Sequence, residues 1–251
     1  MASRYSPEDV ARWEGTFPNS LAIHTEKLKR DDASPDHRRF HLGMLSLTYR
    51  DMATTAIARG AFADAIRLLR LGVDTVCRLH ELFEQGFPGE GADAGHFQSV
   101  LLAFATRDTE LSKKMVSHYR FDKGIKASVF LGKIIKSIAH GDHAAAQDTL
   151  SKPWPKVEAM FRGYPECLQA IANKDEPAFR QAIPSTSKNW AKWAARVEKG
   201  LPGAVCFIQG IGLVRLAEHA MGRHIPISDD NMPPELLSPE LFLLSHCQPA
   251  P

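Results

Sequence analysis

The chain has 251 residues and a mass of 27.8 kDa, with 44% hydrophobic and 24% charged residues, a composition that excludes disordered and collagen-like chains. Its 31 Lys and Arg nearly cancel its 29 Asp and Glu, leaving a formal charge of +2, so the field of a strong nucleic-acid or anionic-membrane binder is missing. An aromatic content of 8% and runs such as Ala144-Ala145-Ala146 favour helix, and the length suits one domain with a sizeable core.

In chain order, Met1-Ala2-Ser3-Arg4-Tyr5 lacks the apolar region of a secretory signal, which points to a cytoplasmic protein. Ser6-Pro7 and Ser34-Pro35 each place an N-cap serine before proline, predicting helix starts near residues 7 and 35. The second helix carries Phe40, Met44, Leu47, Asp51, Thr55 and Ala58 on one face and Leu45, Met52 and Ala56 beside it, a pattern expected to be buried along much of its girth. A third helix is expected over 62–85, then a loop over 86–95 rich in glycine and proline. Further helices are expected over 96–105, 110–119, 123–139, 144–150, 156–162, 167–172, 178–182, 188–199 and 204–221. The apolar stretch 201–216 is too short to cross a membrane and reads as a buried helix. Ile225-Pro226-Ile227 is too short to count as a strand, and period-two alternation is absent elsewhere.

One pattern recurs. Ile57-Ala58-Arg59-Gly60 aligns with Ile138-Ala139-His140-Gly141, with Ile171-Ala172-Asn173-Lys174 and, more weakly, with Phe104-Ala105-Thr106-Arg107. Asp108, Asp142 and Asp175 follow the last three as candidate N-caps. Each copy reads as an αα-corner: an apolar helix end, a stop, and a cap for the next helix. The separations of 34 (138 minus 104) and 33 (171 minus 138) resemble the tetratricopeptide period, although the Trp and Tyr positions of that repeat do not recur.

Catalytic patterns are sparse. His37 and His41 have the spacing of a zinc pair, but Arg38 stands where a metalloprotease carries Glu, so packing is the preferred reading. His140, Asp142 and His143 lie in a recurring corner, where capping explains them better than a metal. His219 and His224 bracket a helix end and suit its dipole. The four cysteines, Cys77, Cys167, Cys206 and Cys247, are scattered, as expected of reduced thiols. Gly210-x-Gly212 lacks the third glycine of a dinucleotide loop, and neither a Walker A motif nor Gly-x-Ser-x-Gly occurs. The basic run Lys113, Lys114, His118, Arg120, Lys123 and Lys126 reads as a solvated face. What remains is a protein-binding surface, for which residues 81–93 and the Asp229-Asp230 loop offer carboxylates and aromatic rings.

The C-terminal third carries a resemblance. The corner at Ile171, a helix with Ala and Trp, the apolar stretch 201–221, and Gly222-Arg223-His224-Ile225-Pro226-Ile227-x-x-Asp230-Asn231-x-x-Pro234-x-x-Leu237 together resemble the immunity protein 49 family of bacterial polymorphic toxin systems. The likeness covers residues 35–244 and is strongest after residue 125. It implies a single-domain, largely helical cytoplasmic protein that inhibits a cognate toxin by stoichiometric binding, with no catalytic residues to transfer.

The resulting expectation is an all-α single domain of packed, degenerate helical hairpins over 35–244, either a tetratricopeptide-like superhelix or an irregular array. A helical segment 1–34 packs on it, and 245–251 form a disordered tail. The expected function is neutralisation of a toxin, by a monomer or homodimer without cofactor, metal, nucleic acid or membrane. If the toxin is a nuclease, its basic cleft should meet carboxylates, and the partner-binding candidates are Glu84, Phe87, Glu90, Asp93, Asp229 and Asp230. The alternatives are a tetratricopeptide-like adaptor for extended peptides and a helical metalloenzyme built on His140, Asp142 and His143.

Overall fold

The four recurring corners all exist, and each turns on one residue in the left-handed region: Gly60 (φ 74°), Arg107 (φ 57°), Gly141 (φ 75°) and Lys174 (φ 56°). These are the same position of the repeat in every copy. The computed structural model describes residues 5–30, 34–84, 97–118 and 126–239. The corners join α2 (Pro35–Ala58) to α3 (Phe62–Glu84), α4 (Phe97–Ala105) to α5 (Thr109–His118), α6 (Lys126–Ala139) to α7 (His143–Leu150) and α8 (Tyr164–Ala172) to α9 (Glu176–Val197). The chain is therefore four consecutive hairpins, preceded by α1 (Pro7–Leu28) and followed by α10 (Ile208–Met221) and α11 (Pro234–Leu237). Among the described residues there are eleven α-helices and no strand, only an isolated bridge between Asp229 and Met232.

Hydrogen bonds explain why the chain turns there. In three corners the N–H after the left-handed residue reaches back across the turn: Ala61 to the Ala56 carbonyl, Asp142 to Ser137 and Asp175 to Ala170, each at 2.9 Å. The second corner replaces this bond with a relay. The Thr106 hydroxyl donates to the Ala103 carbonyl (2.7 Å) and accepts from the Asp108 N–H (3.2 Å). The carboxylates of Asp108, Asp142 and Asp175 then accept from the N–H groups of Leu111, Ala145 and Ala178 at 3.0, 3.0 and 2.9 Å, capping the next helix. Ser6 and Ser34 cap α1 and α2 as expected, Ser6 in a reciprocal capping box with Asp9.

The hairpins are unequal, and the array is closed by its own chain. α10 packs against α4, α6 and α8, the first helices of the last three hairpins, and against α9. Nine of its fourteen residues are buried, and each fully buried Leu, Ile or Val contributes about 2 kcal/mol. This is an irregular array in which α10 covers α4 and reaches α6, α8 and α9. α1 packs on α2, and its Trp13 indole N–H donates to the Gly200 carbonyl at 3.1 Å. Among the described residues, no helix is long and apolar enough to cross a membrane.

Four expectations need correction. Residues 156–162 are not a helix: Pro153 and Pro155 hold the chain extended, and only Ala159–Phe161 forms a 3-10 turn, placing the Phe161 ring 5.0 Å from Phe97 and 5.3 Å from Tyr164. The two helices expected over 178–182 and 188–199 are one, α9, which continues through Pro184 as α1 continues through Pro18. Each proline costs one intrahelical bond, which packing on the neighbouring helices outweighs. The helix expected from residue 204 begins at Ile208, after a 3-10 turn at Pro202–Ala204. Finally, α2 is less covered around its girth than expected: His41, Leu42, Leu45, Thr48 and Ala53 to Ile57 are buried, but Phe40 and Leu47 stand 58% and 43% exposed. The loop expected over 86–95 and the tail at 245–251 lie outside the described residues.

Candidate functional site

The exposed side of α2 at Phe40 and Leu47 is the candidate contact surface. Phe40 and Leu47 are seven residues apart, so they share a face, and Phe40 packs edge-on at 6.1 Å from the ring of His24 in α1. Ile23, the neighbour of His24, is 44% exposed. Three large apolar side chains thus crown the α1/α2 pair with their surfaces turned to water. α3 runs antiparallel to α2 with Gly72 against Tyr49, so its C-terminal end, at Glu84, lies level with the start of α2 and this patch.

Beneath the patch lies a histidine cluster that spacing alone half revealed. His41 stacks edge-on with His37 at 4.3 Å between ring centres, as the i, i+4 pattern allows. Its partner in hydrogen bonding is His24, with the two Nδ1 atoms 2.7 Å apart. Both His24 and His41 are buried, and burial holds each below the ordinary imidazole value, with His37 and Lys27 adding repulsion at His41. One ring of the pair must be neutral to accept the other's proton. His24 escaped the sequence reading because it lies on α1, 17 residues away.

The candidate carboxylates have different fates. Asp229 is turned inward: its Oδ1 accepts from the Ser187 hydroxyl (2.6 Å) and the Asn231 N–H (2.8 Å), while the Asn231 side chain donates to Ser187 (2.8 Å). The Asn231 carbonyl receives the Phe207 N–H at 2.9 Å, satisfying a donor at the start of α10. Asp230 is exposed. The Asp229-Asp230 turn sits against α9 and the start of α10, a different part of the fold from the end of α3. Glu84 ends α3, and Phe87, Glu90 and Asp93 lie outside the described residues. In the neighbouring stretch Glu81 is engaged by Lys114 at 3.1 Å, which also pairs with Asp74 at 3.3 Å and ties α5 to α3.

The segment that carries the family resemblance is a clasp. Gly222 ends α10 in the left-handed region (φ 68°), and Ile225 is buried. Glu218 draws the turn back by accepting from His224 Nδ1 and from the Ile225 N–H. Arg215, buried beside Glu218, donates to the Leu236 carbonyl at 2.8 Å. These residues hold the segment from His224 to Leu236 on α10.

Catalytic candidates acquire structural duties. Asp142 caps α7, and among the described residues no group of three or more His, Cys, Asp or Glu could hold a metal ion. Cys77, Cys167 and Cys206 are buried free thiols. Burial pushes Cys77 and Cys167 up to about 12 and Cys206 higher still, far from a thiolate at neutral pH. Cys247, Arg120 and Lys123 lie outside the described residues. Compared with known proteins, the chain matches no family model, no curated protein and no solved structure.

Proposed function

We propose that the protein acts by stoichiometric binding, neutralising a cognate bacterial toxin in the cytoplasm, and does not turn over a substrate. The observation that carries the reading is the apolar crown of Phe40, Leu47 and Ile23, because adjacent large apolar side chains turned to water mark protein contact surfaces. Aromatic anchors of this kind supply most of the energy of an interface that covers about 800 Å² on each partner. The likeness of residues 171–237 to immunity protein 49 sequences supplies the class of partner.

The test is co-expression with the effector encoded beside this gene. Wild-type protein is expected to restore growth, and Phe40→Asp with Leu47→Asp is expected to abolish protection while circular dichroism stays helical. Equal killing with and without the wild-type protein would remove the proposal. Full protection by the folded double variant would move the interface elsewhere.

A further inference from the structure

A second site shares no lining residue with those invoked above for toxin binding. The second and third corners meet α10 around a cleft of about 450 Å³, within the range of ordinary small-ligand pockets. Its lining combines apolar side chains, Phe104, Val116 and Ala139, with the cations Arg107, Lys113 and Arg215. Arg107, the left-handed residue of the second corner, belongs to this lining, where the first and third corners carry glycine.

The cations outnumber their partners. Glu218 is the carboxylate of the lining, and it is already shared among Arg215, His224 and the Ile225 N–H. Lys113, 69% exposed, pairs with Glu110, 84% exposed, so that contact is weak and Lys113 stands at the solvent side of the lining. Arg107 makes one long bond, Nη2 to the Leu237 carbonyl at 3.3 Å, and its Nε is buried with no hydrogen-bond partner among the described residues. Arg215 has only 4% of its side chain exposed, and its buried Nε likewise has no partner there. Burial and the neighbouring Arg215 push Arg107 down to about 10, as expected of a guanidinium short of negative charge. Buried donors left unsatisfied are costly, and in a partly dry cleft an oxyanion interacts with guanidinium far more strongly than it does in water.

We propose that this cleft binds a small organic anion, whose carboxylate or phosphate head pairs with Arg107 and Lys113 while its apolar body lies against Phe104, Val116 and Ala139. The mixed lining suits both parts of such a molecule: a bare inorganic anion leaves Phe104, Val116 and Ala139 wet, and a neutral alkyl chain leaves Arg107 without a carboxylate or phosphate partner.

Isothermal titration of the whole protein with four probes tests this: octanoate, octyl phosphate, octan-1-ol and inorganic phosphate. Octanoate or octyl phosphate is expected to bind at least 10-fold more tightly than octan-1-ol and than inorganic phosphate, and the better of the two identifies the head group. Lys113→Gln, an exposed change that leaves the fold intact, and Arg107→Gln are each expected to weaken that binding at least 10-fold. Absence of binding by every probe, equal binding of octanoate, octyl phosphate and octan-1-ol, or binding indifferent to Lys113→Gln would overturn the proposal. Because neither probe nor variant touches Phe40 or Leu47, failure here leaves the toxin-binding reading standing, and the reverse holds too.

Discussion

Gly212 of α10 rests on the carbonyl oxygen of Leu101 in α4, so close that a Cβ at position 212 would overlap that oxygen. The neighbour is backbone in a helix and cannot step aside. Gly212→Ala gains about 1 kcal/mol of helix propensity but pays an overpacking cost of about 3 kcal/mol, a net loss of about 2 kcal/mol. Thermal unfolding should show a fall of about 6 °C. Gly43→Ala in α2, where a Cβ would meet nothing within 4 Å, should instead raise the midpoint slightly.

The left-handed corner residues invite a second comparison. Lys174 holds φ 56° without glycine's freedom, at a cost of about 1 kcal/mol, so Lys174→Gly should stabilise the protein. Gly141→Ala at φ 75° should destabilise it by a similar amount, although its Cβ would meet open space. Urea midpoints moving in the same direction for both variants would contradict this account of the corners.

The His24–His41 pair predicts a pH dependence of fixed sign. Both pKa values lie below the ordinary 6.5 in the folded protein, so below about pH 6.5 the unfolded chain binds more protons. Stability should therefore fall as the pH drops from 6.5 toward 5, and be nearly flat above 7.5. His41→Gln should reduce the slope. Burial lowers His143 as well, so part of the slope should persist. Urea titrations across this range check the sign.

Asp229 and Asp230 should separate structure from binding. Asp229→Ala removes the acceptor of two hydrogen bonds and leaves the Ser187 O–H and the Asn231 N–H without an acceptor, costing about 2 kcal/mol. Asp230→Ala, at an exposed side chain, should leave the unfolding midpoint unchanged. If Asp230 touches the toxin, Asp230→Lys should weaken inhibition without altering the melt.

Local chemistry made the corners readable in advance, because Ile-Ala followed by a stop and an Asp cap is a complete hydrogen-bonding instruction within eight residues. Helix merging was not readable: Pro184 normally breaks a helix, and only the packing of α9 on α8 and α10 overrides it. The exposure of Phe40 was hidden for a different reason. Periodicity shows that a face is apolar but not whether a partner helix reaches far enough along to cover it. His24 and the cationic cleft were hidden because their members come from separate helices. Lys113 appeared in the sequence only as part of a solvated basic run, and Arg107 only as a corner residue.

Thr106 shows how one geometry tolerates several spellings. Where three bends close through main-chain atoms alone, this one borrows an oxygen from a side chain and obtains the same turn. A motif search keyed to glycine would detect two of the four joints, and one keyed to aspartate would miss the first. Ancestry between such modules can therefore fade from the letters long before it fades from the path of the chain, and Thr106→Val, which keeps the shape and deletes the oxygen, would show how much that joint depends on its single borrowed atom.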